Sequence, residues 1–167
     1  LRKVVNRDAA ASKMMILVVC QVLSSSKANG VDSSPQSTVI ELSDGWYSVK
    51  GCLDSKLSQF VDEGLITVGT KLLVSSARLV GAEDGVDPLD EGDGSGCQNC
   101  KVTLQLTANA TRLARWNAKL GFVENLNTKE MPHGHLLVKR ISDIVPGGGN
   151  IPAMRLFIQR VYPILYY

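Results

Sequence analysis

Apolar and polar residues alternate along much of this chain with the two-residue period of β-strands, so elements can be assigned segment by segment. Lys13–Leu23 (KMMILVVCQVL) is short for a helix and rich in β-branched residues, which suits a strand buried on both faces. Ser24–Ser37 is a polar Ser/Gly/Pro loop. Thr38–Leu42 and Trp46–Leu53 follow as strands joined at Ser43-Asp44-Gly45, because Asp-Gly between alternating segments signals a turn that uses glycine's tolerance of positive φ. One long strand bulged at that point fits equally. Asp54–Glu63 predicts a short helix: Asp54 can cap its free N–H groups, Leu57, Phe60 and Val61 share one face, and Gly64 sits where a left-handed cap belongs. Lys71–Gly81 reads as a strand. Lys101–Ala108 gives the cleanest alternation, with Val102, Leu104 and Leu106 on one side and Thr103, Gln105 and Thr107 on the other. Phe122–His135 is irregular, and Arg155–Val161 reads as a last strand ended by Tyr162-Pro163.

This inventory is all-β: five or six strands, one short helix and several long loops. Strands with one apolar face need a second layer or closure, since an open sheet leaves hydrogen-bonding edges exposed. A small Greek-key barrel is the economical solution, and the five-stranded oligonucleotide/oligosaccharide-binding (OB) fold has these parts. Periodicity alone does not separate it from another small barrel or a sandwich.

The composition of 167 residues, 44% hydrophobic and 20% charged, fits one domain with a real core. The longest apolar run, Met14–Cys20, is far shorter than the ~20 residues of a membrane-spanning helix. There is no basic-then-apolar leader. The absent initiator Met and the stop at Tyr167 point to a piece of a longer protein. A net charge of +2 conceals an asymmetry: residues 101–167 carry nine Lys/Arg against Glu124, Glu130 and Asp143, while Glu83–Asp93 is acidic with no base. Such a chain lacks the uniformly basic surface of a strong duplex binder, although its C-terminal third could form a basic face. Cys20 and Cys52 look like small core residues. Cys97 and Cys100, spaced C-x-x-C in a Gly/Asp-rich stretch, could join His133 and His135 as metal ligands, but the spacing matches no usual zinc pattern and free thiols are the expected state.

Catalytic signatures do not assemble. Gly64–Lys71 resembles a phosphate loop with the Lys and the hydroxyl residue in the wrong order, leading into a strand instead of a helix. Gly147-Gly148-Gly149 lacks dinucleotide spacing and reads as a flexible loop. Asn109-Ala110-Thr111 is a glycosylation sequon with no secretory context, and His133-Gly134-His135 reads as an exposed loop. No nucleophile, base and orienting residue occur together, so neither enzymatic activity nor a cofactor is expected. One cluster stands out: Arg112 and Arg115 beside Trp116, after the cleanest strand. Arg neutralises phosphate, and an aromatic face stacks a base for about 1–3 kcal/mol, so this group, with Lys101, is the candidate site for single-stranded nucleic acid. Against that stands the ordinary fate of a lone Trp, burial, which is the expectation for Trp116.

Four stretches carry a family resemblance. Ile40–Asp54 (IELSDGWYSVKGCLD), Leu65–Gly81 (LITVGTKLLVSSARLVG), Leu106–Phe122 (LTANATRLARWNAKLGF) and Gly147–Ile164 (GGGNIPAMRLFIQRVYPI) resemble, in order, the first OB domain of the breast cancer type 2 susceptibility protein family. Asp44-Gly45-Trp46-Tyr47 and Ala114-Arg115-Trp116 with Lys119-Leu120-Gly121-Phe122 are the specific pieces. Residues 1–12 resemble the end of the helical domain that precedes it, leaving 13–167 as the OB domain. Two features depart from the pattern: the Glu83–Asn99 excursion, and Leu113 where Pro is expected. The divergence points to a homologue distant from the vertebrate proteins, such as a plant one.

The resemblance implies a nuclear mediator of homologous recombination that helps load a RecA-like recombinase on single-stranded DNA at double-strand breaks. It further implies a small acidic partner protein and adjacent helical and second OB domains. In that family the first OB domain mainly docks its neighbours, which assigns Trp46 and Trp116 to packing. Two readings result. In the first the domain docks proteins, with Asp44, Trp46 and Tyr47 as candidate contacts. In the second it binds single-stranded DNA through Lys101, Arg112, Arg115 and Trp116.

Overall fold

The computed structural model describes residues 1–25, 38–81, 102–123, 138–154 and 156–163. A single turn of helix, α1 (Arg2–Val5), precedes strand β1 (Met15–Ser25). There follow β2 (Thr38–Ser43), β3 (Ser48–Leu53), helix α2 (Ser55–Asp62), β4 (Lys71–Val74), β5 (Arg78–Val80), β6 (Thr103–Leu106), β7 (Thr111–Leu113), β8 (Gly121–Phe122), β9 (Val138–Lys139) and β10 (Ala153–Met154). Strands β1–β8 form one sheet in the order β5-β6-β3-β2-β1-β4-β7, with β8 also on β1. Strands β9 and β10 make a separate parallel pair.

Local chemistry explains the elements. Asp54 caps α2 by accepting the Leu57 amide on Oδ1 at 2.8 Å. The far end of α2 closes as a Schellman motif: Leu65 N–H donates to Phe60 O at 2.9 Å, Gly64 N–H to Val61 O at 3.0 Å, and Gly64 takes φ +73°. Leu57 is buried, with Phe60 and Val61 packed on the same core, as the helical face predicts. The β2–β3 hairpin forms at Asp44-Gly45 with Gly45 at φ +96°, which selects the two-strand reading over one bulged strand. Its register pairs Leu42 with Val49 and Ile40 with Gly51.

Alternation then builds one interior. Met15, Leu17 and Val19 of β1, Ile40 and Leu42 of β2, Val49 and Leu53 of β3, Leu72 and Val74 of β4, and Leu104 and Leu106 of β6 point into a single core, joined by Leu1, Val4 and Val5 of the N-terminal turn. Gly51 is required there, because a Cβ would stand 2.7 Å from Leu42 Cδ1. The out-facing Ile16 and Leu73 are buried as well, under Ala118 of the β7–β8 connection. This second, small cluster gives the sheet an outer layer at one end.

Several expectations are corrected. The Lys71–Gly81 strand is broken in two: Ser76 adopts φ +52°, so β4 pairs with β1 while β5 pairs with β6. Eight strand segments therefore replace five, and no ladder between β4 and β5 closes the sheet among the described residues. Strand β1 is buried on both faces only as far as Val19. Beyond it Cys20, Gln21, Val22 and Leu23 are exposed, since β4 accompanies β1 only from Met15 to Val18. Cys20 is thus a surface thiol, whereas Cys52 is half-buried. The last strand does not form over residues 156–161. Phe157, Ile158 and Val161 are exposed and in no strand, because no strand among the described residues pairs with them.

The glycine-rich segment is pinned. Asn109, buried, donates from Nδ2 to Val145 O at 3.0 Å and Gly149 O at 3.2 Å, and its Oδ1 accepts the Val145 amide at 2.9 Å. Its backbone N–H donates to Gly148 O at 2.9 Å. The sequon asparagine is therefore a structural clamp. The C-x-x-C pair and the two histidines lie outside the described residues.

Candidate functional site

Tryptophan normally finds cover because its ring is the largest apolar surface a side chain carries. Here Trp46 is 90% exposed and Trp116 is 87% exposed. The expected core position of Trp116 is therefore wrong, and neither ring packs within the described chain. Ala118 and Leu120, two and four residues on, take the inward places.

The two rings project from adjoining segments. Trp46 sits in the β2–β3 turn and Trp116 in the β7–β8 connection, and a methyl group placed on Gly45 would lie 3.6 Å from Leu120 Cδ1. Strand β8 brings the two segments together by pairing Gly121 with Ile16 and Phe122 with Met15, just beyond the point where β2 ends against Val18 at Ser43. Sequence spacing gave no sign of this neighbourhood, since 70 positions separate the rings. Leu120 belongs to the Lys119–Phe122 motif, but nothing local to that motif ties it to Gly45.

Asp44 shapes the first turn. Its Oδ1 accepts the Trp46 amide at 3.1 Å and the Tyr47 amide at 2.9 Å, and its Oδ2 pairs with the amino group of Leu1. Tyr47 is half-buried against the main core. Among the three residues expected at this turn, Trp46 presents itself to solvent while Asp44 and Tyr47 hold the turn.

The second segment is basic. Arg112, on β7 opposite Leu73, and Arg115 and Lys119 in the connection are all exposed. Between Thr111 and Val123 there is no acidic residue. Arg112, Arg115 and Trp116 thus lie on one stretch of chain as expected, with Trp46 close by. Lys101 lies outside the described residues. The arrangement offers two flat apolar faces and three exposed cations, a composition suited to recognising a partner surface. Among the described residues there is no group of three or more His, Cys, Asp or Glu able to hold a metal. No helix there is long and apolar enough to cross a membrane.

Comparison with known proteins agrees with this architecture. The family model for BRCA2, oligonucleotide/oligosaccharide-binding, domain 1 matches residues 1–124. Two Arabidopsis thaliana proteins, the BREAST CANCER SUSCEPTIBILITY 2 homologs A and B, are each 30% identical over 171 residues, covering 99% of this chain. The chain spans 14% of the length of each of these relatives. The protein belongs to the BRCA2 family, with residues 1–124 matching that family's first OB domain.

Proposed function

We propose that this OB domain works chiefly by docking proteins within a nuclear recombination mediator that serves double-strand break repair by homologous recombination. In this reading the whole protein helps load a RecA-like recombinase on single-stranded DNA. The domain joins an upstream helical domain, whose end is residues 1–12, to a second OB domain, and holds a small acidic partner protein. Its contribution is binding and not catalysis.

The observation that carries the reading is the pair of exposed tryptophans on adjoining segments, with Arg112, Arg115 and Lys119 exposed along the same stretch of chain as Trp116. Exposed Trp surrounded by Arg is the composition of interface hot spots. A cationic rim also favours encounter with an acidic protein, raising the association rate more than the affinity. Support for a five-stranded Greek-key barrel beneath it comes from Lys71–Val80, whose two halves pair with β1 and with β6 across Ser75–Ala77. One bent strand there would complete the ring β1-β2-β3-β6.

The test is co-expression of the chain with the family's acidic partner, followed by a sizing column and titration. A stable complex and improved solubility are expected. No complex, with solubility unchanged, would refute docking. The exposure of Trp116 beside two arginines also favours a second reading, single-stranded DNA binding through Lys101, Arg112, Arg115 and Trp116. That version requires affinity that falls steeply with salt and a shallower slope in Arg115→Ala.

A further inference from the structure

We propose that Lys71 is a positioning residue for the docking surface, holding the Ala114–Ala118 loop so that Trp116 is presented in one fixed orientation. The inference rests on the docking reading above and adds a residue outside the candidate site residues read from the sequence.

Lys71 is the first residue of β4, and its side chain lies on the out-facing side that it shares with Leu73. An ammonium at such a place ordinarily extends into water. Here the Nζ donates instead to Ala118 O at 2.7 Å, in a part-buried position. The backbone of the same residue serves the other end of the loop: Ala114 N–H donates to Lys71 O at 2.8 Å. Both ends of the loop are therefore tied to one residue. Within the loop Ala118 N–H donates to Arg115 O at 3.0 Å, and Ala118 is seated on Ile16 and Leu73. Trp116 is the exposed tip of this closed frame.

Such a frame matters because an exposed aromatic on a mobile loop must be ordered when a partner binds, whereas one already fixed loses little entropy. Lys71 removes the loop's freedom from both ends, through its ammonium at Ala118 and its carbonyl at Ala114.

The test uses the chain with Trp46→Phe, so that Trp116 is the sole tryptophan, and compares Lys71, Lys71→Met and Lys71→Arg. Time-resolved fluorescence anisotropy should show a larger fast-decay amplitude for Trp116 in Lys71→Met, recovered in Lys71→Arg. Chains retaining Trp46 are then titrated with an acidic probe, poly-L-glutamate with a central Phe. Its dissociation constant should rise roughly tenfold in Lys71→Met, and the loss should persist at high salt, as lost preorganisation requires and lost charge alone does not. Unchanged anisotropy in a folded Lys71→Met chain overturns the proposal. Amide hydrogen exchange on the unaltered chain provides a check free of mutation, since Ala114 and Ala118 should both be protected and exchange at the open-chain rate would overturn the frame. If Trp116→Ala and Trp46→Ala leave probe binding unchanged, the docking reading itself fails, whatever Lys71 does to the loop.

Discussion

Replacing Gly51 by Ala tests how tightly the interior is filled. The added methyl would lie 2.7 Å from Leu42 Cδ1, 3.3 Å from Leu106 Cδ1 and 3.4 Å from Ile40 Cγ1. Carbon atoms prefer about 3.5–4.0 Å, so the first contact is short by about 0.8 Å. All three neighbours are almost wholly buried, at 0% for Leu42 and Ile40 and 2% for Leu106, and have no solvent side towards which to move. Overpacking of this kind destabilises by about 1–3 kcal/mol. Were there room, the same substitution would stabilise by about 0.4–1 kcal/mol, because Ala restricts the unfolded chain. The sign of the effect therefore decides the matter. Urea denaturation should show a lower midpoint with an unchanged slope. Adding Leu42→Val, which removes the clashing Cδ1, should make the double variant more stable than the sum of the single effects by at least about 0.5 kcal/mol. A neutral or stabilising Gly51→Ala would refute the close approach of β2, β3 and β6.

Three further outcomes follow from individual bonds. Asp54 caps α2 and also accepts the Ala108 amide on Oδ2 at 2.6 Å, so Asp54→Ala should cost about 2–4 kcal/mol and Asp54→Ser, which keeps only the cap, about half of that, as read from urea midpoints. Thr111 is 5% exposed and its Oγ1 has no hydrogen-bond partner among the described residues; Thr111→Val should raise stability by about 1 kcal/mol, and a lower melting temperature would contradict this. Asp44 accepts the Trp46 and Tyr47 amides on Oδ1, so Asp44→Ala should cost about 1–2 kcal/mol by urea midpoint and Asp44→Asn, which keeps an acceptor oxygen there, less. Equal losses in the two variants would count against the Asp44 turn.

Much of the fold can be read from local rules because those rules concern near neighbours. Asp54, the Leu57/Phe60/Val61 face and Gly64 define α2 within a dozen residues, and the alternation of Val102–Leu106 gives the inward face of β6. What the pattern does not contain is whether a second surface exists to cover an apolar face. Phe157, Ile158 and Val161 look like a strand but stay exposed, with no strand partner among the described residues. Cys20 looks like core but falls where β4 has already left β1. Trp116 fails for the same reason in reverse: its burial depended on the path of the β7–β8 connection, which seats Ala118 and Leu120 instead. The nearness of Trp46 to the Trp116 loop arises from the pairing of β8 with β1, a long-range event with no local signature. Asn109 shows how a sequon can mislead, because its role is visible only once Val145 and Gly149 are seen around it.

The central claim, that Trp46 and Trp116 form the docking surface, is tested most directly by calorimetric titration of the acidic partner against the chain, Trp46→Ala and Trp116→Ala. Both rings are exposed, so the substitutions should leave the urea midpoint almost unchanged. A buried interfacial Trp contributes at least about 2 kcal/mol, and each variant should therefore bind about 30-fold more weakly or worse. Full affinity in both folded variants would contradict the account.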